Sequence, residues 1–275
     1  MIDVSVIITT KNEGKNIGNC LDSVYKQDYS LDRIEVILVD NNSTDNTKSI
    51  ASRYNCRIFT YGPERSAQRN FAAKKAYGEY ILLLDADMTL TPDLISKCVH
   101  KCRQDGLIAL YIPEKIIGAG IWIKFRDFER SFYNATVIDC VRFVLKNKFL
   151  EIGGFDEKLT GPEDWDFDRR IKDMGKVGII DSPIYHNEGK FDIVKYIRKK
   201  RYYGKSFKRY IDKWGSDDGI VKRQLGLTYR FFGVFIEKGK WRKLVMHPLL
   251  AFGIYILRFL VGLSYISNKI KYCLK

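Results

Sequence analysis

The sequence predicts an α/β protein, with a mostly parallel sheet flanked by helices. Three observations carry that expectation. Short apolar runs recur through the first hundred residues, helical periodicity fills the stretches between them, and several runs end on polar residues. "DVSVIITT" (3–10) is the first run, and "KNEGKNIGNCLDSVYKQD" follows with Ile17, Leu21 and Val24 at helical spacing. "RIEVILVD" (33–40) is the second, and "NNSTDNTKSIASRYN" supplies a loop rich in capping residues and then a helix. "CRIFTYG" (56–62) and "SAQRNFAAKKAYG" (66–78) repeat the strand–helix pair, and "EYILLLDAD" (79–87) closes the series as a strand. Runs that are apolar throughout, rather than alternating, suit strands buried on both faces of a helix-covered parallel sheet. Ligands of such sheets bind outside the carboxyl ends of the strands. Thr9, Asp40 and the pair Asp85 and Asp87 are therefore expected to face one crevice.

The pattern becomes irregular further on. "IIGAGIWIKFRDFERSFYNATVIDCVRFVL" (116–145) mixes apolar residues with Lys124, Arg126, Arg130 and Arg142 and reads as an amphipathic helix pair. "FLEIGGFDEKLTGPEDWDFDRRIKDMG" (149–175) reads as a Gly-rich turn, an acidic loop and a helix, and "KVGIIDSPIYHNEG" (176–189) as a strand pair. Residues 191–243 are basic and aromatic, and 244–275 are hydrophobic. Within the latter, 247–267 barely reaches the roughly 30 Å of bilayer hydrocarbon. It carries Arg258 at its centre, which is costly there unless it snorkels or pairs, and both flanks are basic, including Lys269, Lys271 and Lys275. A helix lying in the interface of an anionic membrane suits that pattern, together with "IIGAGIWIKF" and the basic stretch 195–209; a core helix is the alternative.

Lys+Arg number 47 against 33 Asp+Glu, leaving +14, so the chain should attract phosphates, whether of nucleotides, nucleic acid or lipid. The six cysteines form no disulfide framework or zinc pattern and read as free thiols. The start runs straight into "VSVIIT", without the charged region of a secretory signal, and none is expected. A basic nucleic-acid-binding α/β protein is the rival reading. It leaves unexplained why carboxylates end the apolar strands, where they repel phosphate unless a cation intervenes.

Asp85 and Asp87 suit such a cation, Mn²⁺ or Mg²⁺, held by one or two carboxylates and by phosphate oxygens. Taken by itself the pair also reads as a solvated turn in which Asp87 caps the helix begun by "TPDLI". The acidic run Glu163, Asp164, Asp166 and Asp168 likewise reads either as a helix start favoured by the helix dipole or as a source of a general base.

Four motifs in order, "VIITTKNE", "VILVDNNSTDNT", "SAQRNFAAKKAYGEYILLLDAD" and "GGFDEKLTGPEDWDFDRRIKDMG", resemble the family 2 glycosyltransferases with the GT-A fold over roughly residues 3–190. That resemblance implies a GT-A catalytic domain over 1–190, followed by a basic helical extension (191–243) and the hydrophobic segment (244–275). It implies an inverting, metal-dependent transfer from a GDP- or UDP-sugar. Thr9, Lys11, Glu13, Asp40 and Asp85 would meet the nucleoside, and Arg69 the diphosphate; apart from the resemblance, "GPERSAQRN" places Arg65 in a loop near the crevice, where it too is expected to meet phosphate. Family members often carry an acid where Asn41 stands. Asp85 and Asp87 would be the metal pair, Asp87 the more direct ligand; Asp164 would be the general base and Glu163 its neighbour toward the acceptor. His186 is implied as a further metal ligand, with a structural histidine the alternative. Arg198 and Arg201 partly match a diphosphate- and acceptor-contacting motif of the cellulose-synthase-like branch, in which Tyr202 replaces Trp, or else mark a solvated helix face. With the membrane reading, the expected acceptor is lipid-linked, the location the cytoplasmic face of a membrane, and nucleic acid is not expected as a partner.

Overall fold

A computed structural model describes residues 1–273, with side chains described through residue 263. The elements run β1 (Val4–Thr10), α1 (Ile17–Tyr25), β2 (Ile34–Asp40), α2 (Thr47–Ala51), β3 (Arg57–Thr60), α3 (Arg65–Lys75), β4 (Tyr80–Asp85), β5 (Met88–Leu90) and α4 (Leu94–Asp105). There follow β6 (Ala109–Tyr111), β7 (Glu114–Ala119), α5 (Ile121–Arg130), β8 (Phe143–Leu145), α6 (Lys146–Glu151), α7 (Glu163–Lys172), β9 (Val177–Ile179) and β10 (Ile184–Lys190). The remainder is helical: α8 (Ile193–Gly204), α9 (Phe207–Trp214), α10 (Gly219–Leu225), α11 (Val234–Ile236), α12 (Trp241–Met246) and α13 (Pro248–Cys273). The chain divides into two compact units, one of residues 1–115, 139–157 and 163–187, the other of 116–138, 158–162 and 188–275.

The first unit holds a seven-stranded sheet in the order β3-β2-β1-β4-β8-β6-β9. The four strands expected from the apolar runs are its parallel half, in register so that Thr10 lies beside Asp40 and Thr9 beside Asp85. Their runs are buried because both faces are covered: Val6, Ile8, Leu38, Leu82 and Leu84 join one core with Ile17, Leu21 and Val24 of α1. Cys20, Cys98 and Cys102 lie in that core, and the five cysteines with described side chains are all free; Cys273 lies outside the described side chains.

Two expectations are corrected here. Residues 116–145 form not a helix pair but the end of β7, then α5, turns, and β8. Gly118 (φ 150°) and Gly120 (φ 97°) take backbone conformations that end a helix, and Ala135 (φ 52°) interrupts the second half. Phe143 and Val144 are better buried as a strand antiparallel to both β4 and β6. The strands β9 and β10 also form, but not as a pair: β9 joins β6 in parallel, whereas β10 runs antiparallel to β5.

In the second unit α13 packs on α5 and α8. Arg258 does not snorkel. Its guanidinium lies 3.0 Å from Glu129 and donates to the Tyr133 hydroxyl at 2.6 Å. Glu129 also accepts from Arg126 at 2.7 Å, and Arg126 pairs with Glu188 at 2.9 Å. Burial opposes the Glu129 charge, but Arg258 and Arg126 hold its carboxyl down to about 2. Glu129→Gln is expected to destabilise the protein by roughly 3–5 kcal/mol, since it strands buried cations, as read from denaturant unfolding. Because the folded carboxyl sits below its ordinary value of 4.5, this stabilisation is complete above that pH and fades as pH falls toward 2. The basic flank Lys269, Lys271 and Lys275 lies outside the described side chains.

Candidate active site

The parallel strands deliver their polar ends to one edge of the first unit. Thr9 Oγ1, at the end of β1, donates to Asp85 Oδ1 at 3.0 Å across the β1–β4 pair. Helix α3 runs back over the same edge and is tied there by Gln68, whose amide donates to the carbonyls of Val39 (2.6 Å) and Thr10 (3.2 Å). Asn70 anchors its other side by donating to the Phe155 carbonyl at 2.9 Å and accepting from the Phe155 amide at 2.8 Å. The Gly153–Gly154 turn makes this clamp feasible. Both residues have positive φ, and a Cβ on Gly154 would strike the Asn70 side chain.

Between those anchors Arg69 reaches two carboxylates at once, Asp85 and Asp164, each at 3.0 Å. Arg65, one turn earlier, pairs with Glu163 at 2.9 Å and lies 3.6 Å from Asp85. Burial alone would raise the Asp85 carboxyl, yet Arg69 and then Arg65 hold it well below the usual carboxylate range. Burial, with Asp164 next to it, pushes Glu163 up, and its Oε2 is buried without a partner. Asp164 keeps 31% of its side chain exposed and so can meet an incoming group.

The acidic run on α7 therefore divides by role. Asp166 pairs with Arg170 at 2.8 Å, and Asp168 accepts from the Tyr111 hydroxyl at 2.8 Å and the Val141 amide at 3.2 Å. Those two hold the helix in place, whereas Glu163 and Asp164 meet the α3 arginines.

Asp87 sits in the turn between β4 and β5, two residues past Asp85 but with different partners. His186 on β10 places Nε2 3.1 Å from Asp87 Oδ2 and Nδ1 2.6 Å from Glu114, which in turn pairs with Arg142 at 3.1 Å. Burial works against a charged ring, but Asp87 and Glu114 push His186 up to about 10. In that form it is a partner of Asp87 and could ligate a cation only after losing the Nε2 proton. Asp87 Oδ1 is buried and has no partner. That open oxygen, with the imidazole next to it, fits a divalent cation whose remaining ligands come from phosphate. Among the described residues no three His, Cys, Asp or Glu side chains form a metal cluster unaided.

The nucleoside candidates border this edge. Asp40 is fully buried at the end of β2, and both its oxygens accept from Ser43, one from its amide at 2.9 Å, so it shapes the loop over the strand ends. Lys11 is exposed just past β1; the Glu13 side chain accepts from Asn16 at 2.7 Å, and Asn16 accepts from Asn187 at 3.0 Å. Asn41 donates to the Pro63 carbonyl. Arg198 and Arg201 lie on α8 in the second unit, both exposed. Glu114, Gln68 and Asn70 went unremarked in the sequence, and only the "AQRN" neighbourhood of the last two offered a signal.

Residues 5–151 match the family described as glycosyl transferase family 2. The glycosyltransferase AglE of Haloferax volcanii is 37% identical over 188 residues, 62% of this chain and 62% of that protein. The chain spans less than two thirds of the length of this and other curated relatives: 62%, 49% and 16% for three of them. Among solved structures, Staphylococcus aureus TarS 1–349 in complex with UDP-GlcNAc superposes with a TM-score of 0.61 at 20% identity, covering 84% of this chain and 73% of that one. The mannosyltransferase PcManGT of Pyrobaculum calidifontis, in complex with GDP-Man and Mn²⁺, superposes at 0.60 and 20% identity, covering 98% and 79%. The likeness is one of fold, and the fold is GT-A.

Proposed function

Given that this chain belongs to glycosyl transferase family 2, we propose that it moves a sugar from a GDP- or UDP-sugar to a hydroxyl acceptor, with inversion at the anomeric carbon. The observation that carries this reading is Arg69, which joins the acid ending β4 to the partly exposed carboxylate of Asp164 on α7. Donor and base would thus be served from one edge of one sheet.

Thr9, Lys11, Glu13 and Asp40, with the loop that Asp40 organises, are assigned to the base and ribose. Arg65 and Arg69 are assigned to the diphosphate, for which they would exchange part of their hold on Asp85, Glu163 and Asp164. Asp87 would hold Mn²⁺ or Mg²⁺ through its open oxygen, with His186 and Asp85 next in reach. When bound, that ion supplies neutralisation of the charge developing on the departing diphosphate. Asp164 takes the proton of the acceptor hydroxyl as its oxygen bonds to the anomeric carbon and the bond to the diphosphate oxygen breaks, the electron pair leaving with the diphosphate. One such displacement inverts configuration. Glu163 Oε2, buried and unpartnered, is suited to accept from a neighbouring hydroxyl of the acceptor. The proposal extends to a lipid-linked acceptor met at the cytoplasmic face of a membrane, with Arg198 and Arg201 toward its phosphate; the basic and aromatic composition of 191–243 supports this.

Thermal shift tests the donor reading. UDP or GDP with Mn²⁺ is expected to stabilise the protein, by about 2.7 kcal/mol at a hundredfold excess over Kd, and an oligonucleotide is not. An unmoved Tm with both nucleotides would remove the basis for the proposal, and stabilisation by the oligonucleotide alone would favour the nucleic-acid reading.

A further inference from the structure

Helix α13 has an apolar outward face, and Arg258, its one charged residue between 248 and 263, is turned inward. Its inward face carries Ile254 and Leu257 together with Arg258, all at most 7% exposed, and Arg258 is consumed by Glu129 and Tyr133. Its outward face carries Leu249, Phe252, Phe259 and Leu263 at 81%, 68%, 60% and 46% exposure. With Ile256 these positions recur every three or four residues, so they form one continuous stripe. Val245 and Met246 at the end of α12 are exposed ahead of it, at 70% and 73%. A surface helix of a soluble protein turns a polar face to solvent, and large apolar patches of this kind mark an interaction surface.

Charge complementarity selects the occupant. Lys238 and Arg242 are exposed at the start of the stripe, next to half-exposed Trp241, whereas the Lys243 ammonium donates to the Ser131 hydroxyl at 3.0 Å. Across residues 226–263 the sequence holds a single acid, Glu237, and it is engaged by Arg223 at 2.9 Å and the Tyr229 hydroxyl at 3.1 Å. A second copy docking here would bring the same cations against their own kind. Anionic lipid headgroups neutralise them, while acyl chains cover the apolar stripe. The stripe from 249 to 263 is about 21 Å long at the helical rise, short of a bilayer's roughly 30 Å, and among the described residues no helix is long and apolar enough to cross a membrane. We propose that α12 and the outward stripe of α13 lie lengthwise in the interface of an anionic phospholipid bilayer, with Phe252 and Phe259 in the acyl region and Lys238 and Arg242 at the headgroups. This names the surface behind the membrane-facing part of the proposed function and rests on that part alone.

The test is flotation of the full chain with vesicles of phosphatidylcholine, alone or mixed with phosphatidylglycerol. Wild-type protein is expected to float with the mixed vesicles, less so with phosphatidylcholine, and less as salt rises. Phe252→Glu and Phe259→Glu change exposed side chains, and each is expected to lower partitioning by about tenfold or more. Both variants should keep the wild-type melting temperature and its shift with nucleotide and Mn²⁺, which reads the first unit separately. Absence of flotation, flotation indifferent to both substitutions, or a soluble oligomer that the substitutions disperse without vesicle binding would each overturn the assignment.

Discussion

Asp164→Asn is expected to lower turnover by roughly 10²–10⁴-fold, the size of a lost general base, while nucleotide affinity stays within a few-fold of wild type. The substitution keeps the shape of the side chain and leaves an amide oxygen that can still accept from Arg69, now 3.0 Å away. What it removes is a proton acceptor at a position 31% exposed, close to guanidiniums assigned to the leaving diphosphate. Donor binding draws on Arg65, Arg69 and the strand ends, none of which loses its anchoring: Gln68 and Asn70 still hold α3. Steady-state kinetics with a panel of nucleotide sugars, together with nucleotide titration, separates the two effects. Weakened donor binding at unchanged turnover would make Asp164 a prop for Arg69 and not a base. Asp166→Asn and Asp168→Asn provide the contrast, because those carboxylates hold Arg170 and Tyr111, and their loss should appear in stability before it appears in chemistry.

The contrast also shows which parts of the molecule could be read from residues alone. The parallel half of the sheet was legible because Val6, Ile37 and Leu82 sit in runs with no polar face, which only a doubly covered sheet can bury. The convergence of Thr9, Asp40 and Asp85 followed from strand direction. By contrast β8 was hidden, because Val141, Phe143 and Val144 satisfy helical and strand spacing equally, and its choice is made by the open edge of β4, a partner about 60 residues away in sequence. Arg258 looked like an obstacle in an apolar segment; its partner Glu129 lies far back in the chain, in a stretch read as amphipathic. At the site, the sequence nominates Asp85 and Asp87 as a pair, with Asp87 the more direct metal ligand, but does not name the partners that surround each. It takes the Arg65 and Arg69 contacts to show that the two acids face different company.

That division makes Asp87→Ala the second decisive substitution. Asp85 is already occupied: Thr9, Arg69 and Arg65 surround its carboxylate, and removing it would strand two guanidiniums. Asp87 has one oxygen against His186 and the other buried with nothing to accept from. A buried acceptor left open is costly unless something donates to it or coordinates it, and a cation brought by the donor's diphosphate would meet that need. Asp87→Ala is therefore expected to reduce transfer by at least about 10²–10³-fold, the scale of losing one preorganised charge contact to a leaving group. It should also abolish the part of the nucleotide-induced Tm shift that depends on Mn²⁺, leaving the metal-free shift in place. Asp87→Asn tests whether this is charge or scaffold. Its amide can still bond His186, so the fold should be kept with a modestly lowered melting temperature, since the charged imidazole retains Glu114 but loses one of its two carboxylates, yet the Mn²⁺-dependent shift should still vanish. Asp85→Asn should behave differently, lowering the melting temperature and weakening nucleotide binding with and without metal as Arg65 and Arg69 lose their common anchor. An Asp87→Asn protein that retained full Mn²⁺-dependent binding would take the cation away from this turn, and with it the physical reason for placing a charged pair at the end of β4.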